Sequence, residues 1–450
     1  MTRQDPAPTS QPAAPSAPDL LYREHEEDLR SAVRALLADR LPPATVLAHI
    51  DAGRAYDAGL WQILATDLGL AGLLVPDALG GQGAGAREAA VVLEELGRAV
   101  APVPYLTSAV IATEALLACV GAGPGGAPHE PAAVPGLRAD ATPRAATRPA
   151  DRAEDAEEPE VAVAAELLAA LASGERIGVL AVPLSSAPGT AHPTGVRADT
   201  AACADTAACA DTGVRADARA ALTGEVTSVA DALAADVLLV PARGPAGAGL
   251  YAVDAGAAGS FGLRLEPTTA LDPTRPLARV ALDGAPARRV AGPATADAAI
   301  SRALRAGAGL LASEQLGLAE WCLAETVRHT GERHQFGRPV GSFQALKHRM
   351  ARIWLDLVSA RAAARAAADA LTTGAPDASV AVAVAQAHAA RVAVHAAQEC
   401  VQLHGGIGMT WEHPAHLYLK RAKSDEIALG TPGRHQEALA DLVDLPAPPA

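Results

Sequence analysis

Hydrophobic positions along the chain follow two different spacings, and the change of spacing divides it. Between residues 19 and 120 apolar side chains recur every three to four positions, the period of a helix with one buried face. The stretch LYREHEEDLRSAVRALLADRL sets Leu21, His25, Leu29, Val33, Leu36 and Leu37 on one stripe. GLWQILATDLGLAGLLVP, REAAVVLEELGRAVAPVP and TSAVIATEALLACV continue the pattern, and Pro closes the first two. Residues 19–120 are therefore expected to form an N-terminal helical domain. From 173 to 290 the apolar runs shorten to strand length, as in IGVLAVPL, DVLLVPA, GLYAVDA and LARVALDG. They predict a small β-barrel-like domain. Helical spacing returns over 291–445 in four long segments that predict a C-terminal four-helix bundle. The expected fold class is mainly α with a β middle domain.

The segments between these blocks differ in composition. Residues 1–18 are rich in Pro, Ser and Ala and read as a disordered tail. Residues 121–172 combine a Gly/Pro stretch with the charged run RADRAEDAEEPE and read as a linker or surface insertion. Within the β domain, 198–217 reads as a low-complexity loop, because ADTAAC is followed by ADTAACADT.

Charge and rings narrow the partners. Of 450 residues, 37 are Lys or Arg and 51 are Asp or Glu, giving a net charge of −14. With only three Phe, five Tyr and four Trp, neither a basic footprint nor a stacking platform for nucleic acid is expected. The five cysteines (Cys119, Cys203, Cys209, Cys322 and Cys400) form no CxxC pair and are odd in number. No disulfide framework and no metal site are expected. The first residues lack the apolar core of a secretory signal, and no uncharged apolar run approaches spanning length. A cytoplasmic chain with no membrane partner is the expectation.

Two segments of the bundle carry the candidate chemistry. ERHQFGRPVGSFQALKHRMA, at 332–351, joins two predicted helices through a turn holding Arg333, Phe336, Gly337 and Gln344. CVQLHGGIGMTWEHPAHLYLKRAK, at 400–423, ends a helix on Gln402, Gly405 and Gly406. An RxxFG turn with a Gln eight residues past the Phe, followed at this separation by QxxGGxG, resembles the C-terminal signature of acyl-CoA dehydrogenases. The N-terminal WQILATDLGLAGLLVPDALGG is similar to that family's pattern as well.

The resemblance implies FAD as cofactor and an acyl-CoA thioester as substrate. A carboxylate takes the α-proton while the β-hydrogen leaves as hydride to the flavin. It also implies a homo- or hetero-tetramer, whose QxxGG helix serves a neighbouring subunit's FAD, and an electron-accepting flavoprotein. Arg333 offers a guanidinium fork for the pyrophosphate, and Gly405 and Gly406 let backbone approach it. Gln344 and Gln402 suit the adenosine half, Phe336 packs on the cofactor, and Thr431 matches a Thr on the flavin side.

The catalytic base departs from the family pattern. Leu429 stands at the usual Glu position and Gly307 at the alternative one, and neither accepts a proton. The β-domain segments AVPLSS (181–186) and GEVTSVADALAADVLLV (224–240) also lack the family's flavin-ring residues. Glu314 is the candidate for a displaced base, ahead of Glu412 and Glu426, because it lies in an apolar stretch. The favoured expectation is an FAD-clamping, non-catalytic subunit of a mixed oligomer performing α,β-dehydrogenation. The alternatives are a self-sufficient dehydrogenase with a displaced carboxylate and a scaffold that has lost flavin.

Overall fold

The computed structural model describes residues 20–121, 151–189, 195–200, 219–256 and 261–446. The predicted tail at 1–18 lies outside these residues, as do 122–150 of the predicted linker and 201–217 of the predicted loop.

The N-terminal helices are α1 (Glu24–Arg40), α2 (Pro43–Asp51), α3 (Ala58–Gln62), α4 (Ala86–Ala99), α5 (Thr113–Cys119) and α6 (Asp151–Ala172). Helix α1 opens on three acidic residues and closes on Arg40, matching its dipole. Helix α6 corrects the expectation of a linker over 121–172. From Glu160 onward the segment EVAVAAELLAALA buries Val163, Ala164, Leu167, Leu168 and Leu171. The acidic run before it obscures a helical stripe that belongs to the core. Between α4 and α5 the chain forms a π-helical stretch, Tyr105–Ala112, in which all eight residues are buried.

The middle domain contains β1 (Gly178–Leu180), β2 (Val196–Asp199), β3 (Arg219–Ala230), β4 (Val237–Gly244), β5 (Gly247–Asp254), β6 (Leu263–Thr268) and β7 (Leu277–Ala291). Strand β4 pairs with both β2 and β5, which closes the path β4-β2-β3-β7-β5 on itself. This is the barrel that the short apolar runs predicted. Ala198 and Asp199 still pair with β3, so the predicted loop at 198–217 starts two residues too early.

The C-terminal region consists of α7 (Pro293–Glu332), the hairpin β8 (His334–Gln335) and β9 (Arg338–Pro339), then α8 (Gln344–Thr373), α9 (Ala378–His404), α10 (Ala415–Ile427) and α11 (Pro432–Leu442). The bundle thus has a fifth helix beyond the four expected. Pro432 reads as a breaker, but at the first helical position its missing N–H costs nothing, and Thr431 caps the helix. The segment Ala378–Met409 is long and apolar enough to cross a membrane, but two-thirds of its apolar window is buried inside the protein.

Helices α4 and α7 cross at backbone distance. A Cβ on Gly317 would lie 1.8 Å from the Glu94 carbonyl oxygen, and one on Gly97 would lie 2.1 Å from that of Glu314. These two glycines lock the N-terminal domain onto the bundle. Thr107 donates to Asp231 Oδ2 at 2.8 Å, and Ser108 Oγ accepts from the Gly178 N–H at 3.1 Å, tying the same domain to the barrel.

Candidate functional site

Three elements meet where the family pattern places its base. Helix α10 ends at Ile427, and the chain turns through Leu429 (φ +55°) and Gly430 (φ +102°) into α11. The Leu429 N–H donates to the Leu184 carbonyl at 2.7 Å, and its carbonyl accepts from His435 Nε2 at 2.9 Å. Its side chain is buried against α7. A Cβ on Gly307 would lie 2.8 Å from Ile111 Cγ1 and 3.1 Å from Leu429 Cδ1. Both base positions therefore converge on one spot, and Ile111 and Leu429 fill it with hydrocarbon. The two barrel segments named above also arrive here: the Leu184 N–H donates to Ser228 O at 2.9 Å.

Glu314 does not take the place of the missing base. It accepts from Arg275 Nη2 at 2.6 and 2.8 Å and from Arg421 Nη1 at 2.6 Å, fully buried. Burial pushes its carboxyl upward, but the two guanidinium groups outweigh that and hold it below the ordinary carboxylate range. The network continues to Asp425, 2.6 Å from Arg275 Nη1, and to Asp272, 2.6 Å from Arg421 Nε. Burial, helped by the charge of Glu314, raises Asp425 to about 8. The expectation for Glu314 is thus corrected: its apolar flanks bury an ion pair, not a reactive acid. Glu426 pairs with Lys423, and Glu412 is exposed.

Beside the Leu429 turn lies a cleft of about 460 Å³, walled by Ala187, Val382 and Ala383 and carrying Arg305, Arg434 and His435. Arg305 Nε is buried there with no hydrogen-bond partner. Glu437 and Asp441 also line the cleft, and Glu437 accepts from Arg434 Nη1 at 3.1 Å, so Arg305 is the guanidinium left to meet an anionic group there.

The remaining candidates gather at the far end of the bundle. Arg333 caps α7, Phe336 (φ +54°) and Gly337 (φ +77°) turn the hairpin, and Gln344 begins α8. Gln402 and Gly405 lie at the end of α9, with Gly406 next. The His329 and His404 rings stack at 4.2 Å, which brings the two motifs to the same end. All seven positions are exposed, Phe336 by 89%. Arg333 makes no ion pair among the described residues, and a Cβ on Gly405 or Gly406 would meet nothing within 4 Å. A free guanidinium, two free amides, an exposed ring and open backbone are a donor set that fits a diphosphate with a flat ring system. Thr431 stands apart from them, accepting from the Arg434 N–H at 3.4 Å beside the cleft.

Several of these residues escaped the sequence reading. Ile111 sits in a π-helical turn that no periodicity marks. Arg421 and Asp425 are spaced i,i+4 on α10, a visible signal, but the partner of Asp425, Arg275, is 150 residues away in sequence, and Arg421 pairs with Glu314, 107 residues away.

Comparison with known proteins agrees with this layout. The acyl-CoA dehydrogenase N-terminal domain matches residues 23–121, and the C-terminal domain of the same family matches 297–443. Acyl-CoA dehydrogenase IpdE2 of Mycobacterium tuberculosis is 32% identical over 409 residues, covering 91% of this chain and 94% of its own. The ChsE4-ChsE5 complex from the same organism superposes with a TM-score of 0.72 at 27% identity, over 95% of this chain and 100% of that one. The Tcur3481-Tcur3483 steroid acyl-CoA dehydrogenase variant does so with a TM-score of 0.70 at 28% identity, over 94% and 98%. The chain belongs to the acyl-CoA dehydrogenase family.

Proposed function

We propose that this chain is the FAD-clamping partner in a two-chain acyl-CoA dehydrogenase whose catalytic carboxylate resides on a paralogous subunit. The observation that carries this reading is the hydrocarbon plug of Leu429 and Ile111 at the point where both base positions meet. Support also comes from the similarity to subunits of the ChsE4-ChsE5 complex and the Tcur3481-Tcur3483 steroid enzyme, each a pair of different chains. Exposed Trp354, Leu355 and Val358 on α8 give the bundle an apolar face suited to an assembly.

In this reading Arg333 pairs with the pyrophosphate of FAD held across the subunit boundary. Gln344 and Gln402 hydrogen-bond its adenosine half, Phe336 covers a ring face, and Gly405 and Gly406 admit the backbone. When bound, FAD supplies the acceptor for the β-hydride. Arg305 suits the phosphates of a CoA thioester, and Leu429 keeps water and proton acceptors out of the plugged site. An electron-accepting flavoprotein reoxidises the complex.

The test is co-expression with a paralogue that carries Glu at the position of Leu429. The flavin spectrum and its bleaching by acyl-CoA, including a steroid thioester, are recorded for the chain alone and for the pair. The expected result is bleaching by the pair only. Bleaching of the chain alone overturns the reading in favour of a self-sufficient enzyme. Absence of flavin from both preparations overturns it in favour of a scaffold.

A further inference from the structure

The turn after α9 holds a second cluster that the reaction does not use. His404 Nδ1 lies 2.6 Å from the Cys400 carbonyl, so that nitrogen carries the ring proton. Its Nε2 is left as a lone pair. That atom is buried, has no hydrogen-bond partner, and faces Glu325 Oε1 at 3.8 Å, beyond hydrogen-bonding reach. His413 Nε2 lies 3.2 Å from the same carboxylate oxygen. The ligand atoms of Glu325, His404 and His413 all fall within 4.8 Å of one another. A buried imidazole lone pair aimed at a carboxylate oxygen is repulsive unless a proton or a metal ion sits between them.

We infer that Glu325, His404 and His413 bind one divalent transition-metal ion of the zinc class, linking α7 to the turn between α9 and α10. Two imidazole nitrogens and one carboxylate oxygen are ligands this class accepts, at about 2.0–2.2 Å each, with water completing a tetrahedron. The Cys400 carbonyl already orients His404 in the way outer partners orient metal-binding histidines. Arg328 grips both oxygens of Glu325, Nε donating to Oε2 at 2.8 Å and Nη2 to Oε1, so the ion takes the remaining lone pair of Oε1. His413 binds with its proton on Nδ1, giving up the 3.2 Å contact from the Ala415 N–H. The side chains of Glu325 and His413 are 16% and 12% exposed, which provides an entry edge. The site stands on these residues alone and is independent of the acyl-CoA reading.

The full chain, stripped with chelator, is titrated with Co²⁺ by visible absorption and with Zn²⁺ by calorimetry. One ion per chain is expected, with the intense visible bands of a four-coordinate Co²⁺ site. His413→Gln and Glu325→Gln are expected to weaken binding at least tenfold. His416→Gln, whose ring packs on Trp411 outside the cluster, is expected to bind as the parent does. His404 is not substituted, since its burial would confound binding with folding. No stoichiometric uptake overturns the site, as does uptake unchanged in both His413→Gln and Glu325→Gln.

Discussion

Replacing Asp425 with Asn is expected to abolish most of the protein's loss of stability between acid and alkaline pH. The buried network around Arg275 and Arg421 contains two cations and three carboxyl groups, those of Glu314, Asp272 and Asp425. Buried Asp231 also faces Arg275 and Arg421 and is raised by burial to about 6, so two cations cannot balance every acid ionised, and burial assigns a proton first to Asp425, whose pKa is pushed up to about 8. Its Oδ2 has no hydrogen-bond partner, and neither do the amide oxygens of Gln315 and Gln386, whose amide nitrogens donate to the Asp425 carbonyl. A proton on Oδ2 supplies a donor that this group of acceptors lacks. A carboxyl raised in the folded state stabilises fully below its unfolded value, near 4, and that stability is lost as pH rises through about 8. The full rise corresponds to a ceiling of about 6 kcal/mol. Sharing of the proton with Glu314 reduces this, and we expect about 3 kcal/mol to be lost between pH 5 and 9. Asn keeps an acceptor for Arg275 and stays neutral at every pH. The variant should cost about 1 kcal/mol at pH 5 and become more stable than the parent at pH 9. Denaturant titrations followed by circular dichroism at pH 5, 7 and 9 measure both. Parallel pH profiles for parent and variant would refute the assignment of the proton.

Glu314→Gln leaves Arg275 and Arg421 short of one negative charge and is expected to destabilise by about 3 kcal/mol, while turnover per folded co-expressed complex is unchanged. A stable variant with turnover lowered a hundredfold would instead make Glu314 the base. Arg333→Ala and Phe336→Ala should alter stability by no more than about 0.5 kcal/mol, because both side chains are exposed, yet lower the FAD content of the co-expressed complex. Full flavin occupancy in both would sink the proposed clamp. Gly317→Ala drives a methyl group into the Glu94 carbonyl and should cost about 3 kcal/mol or more. A thermal midpoint equal to that of the parent would show that α4 and α7 can separate at no cost.

What the sequence could and could not reveal follows from the range over which each feature is encoded. The order of helical, barrel and helical regions was legible because spacing is a local property. The candidates Arg333, Phe336, Gln344, Gln402, Gly405 and Gly406 came from the resemblance of two motifs to a family signature, and the structure brings those motifs to one end of the bundle. Helix α6 was hidden by the acidic residues that precede its apolar stripe. The role of Glu314 was hidden for a different reason. An acid between apolar neighbours looks the same in sequence whether it is reactive or paired, and its partners Arg275 and Arg421 lie 39 and 107 residues away. The cleft is assembled from the barrel, α7, α9 and α11, so no single segment reports it.

The Leu429 turn separates what a backbone does from what its side chain does. A leucine in the left-handed region costs about 1–3 kcal/mol, which glycine at that position would avoid. The chain nevertheless keeps the conformation, because the turn's backbone has its own work. Its N–H fastens the barrel at Leu184, and its carbonyl fixes His435 at the wall of the cleft. Those bonds shape the cleft whatever side chain stands at 429, so the position can exchange carboxylate for hydrocarbon without dismantling its surroundings. Glycine would relieve the strain but leave a void against Ile111 and Gly307, and a void of leucine size costs about 2–5 kcal/mol. Packing therefore favours leucine over the residue the dihedral prefers. An intact turn filled with hydrocarbon is what the proposed partner subunit would retain, its shape kept while another chain supplied the proton acceptor.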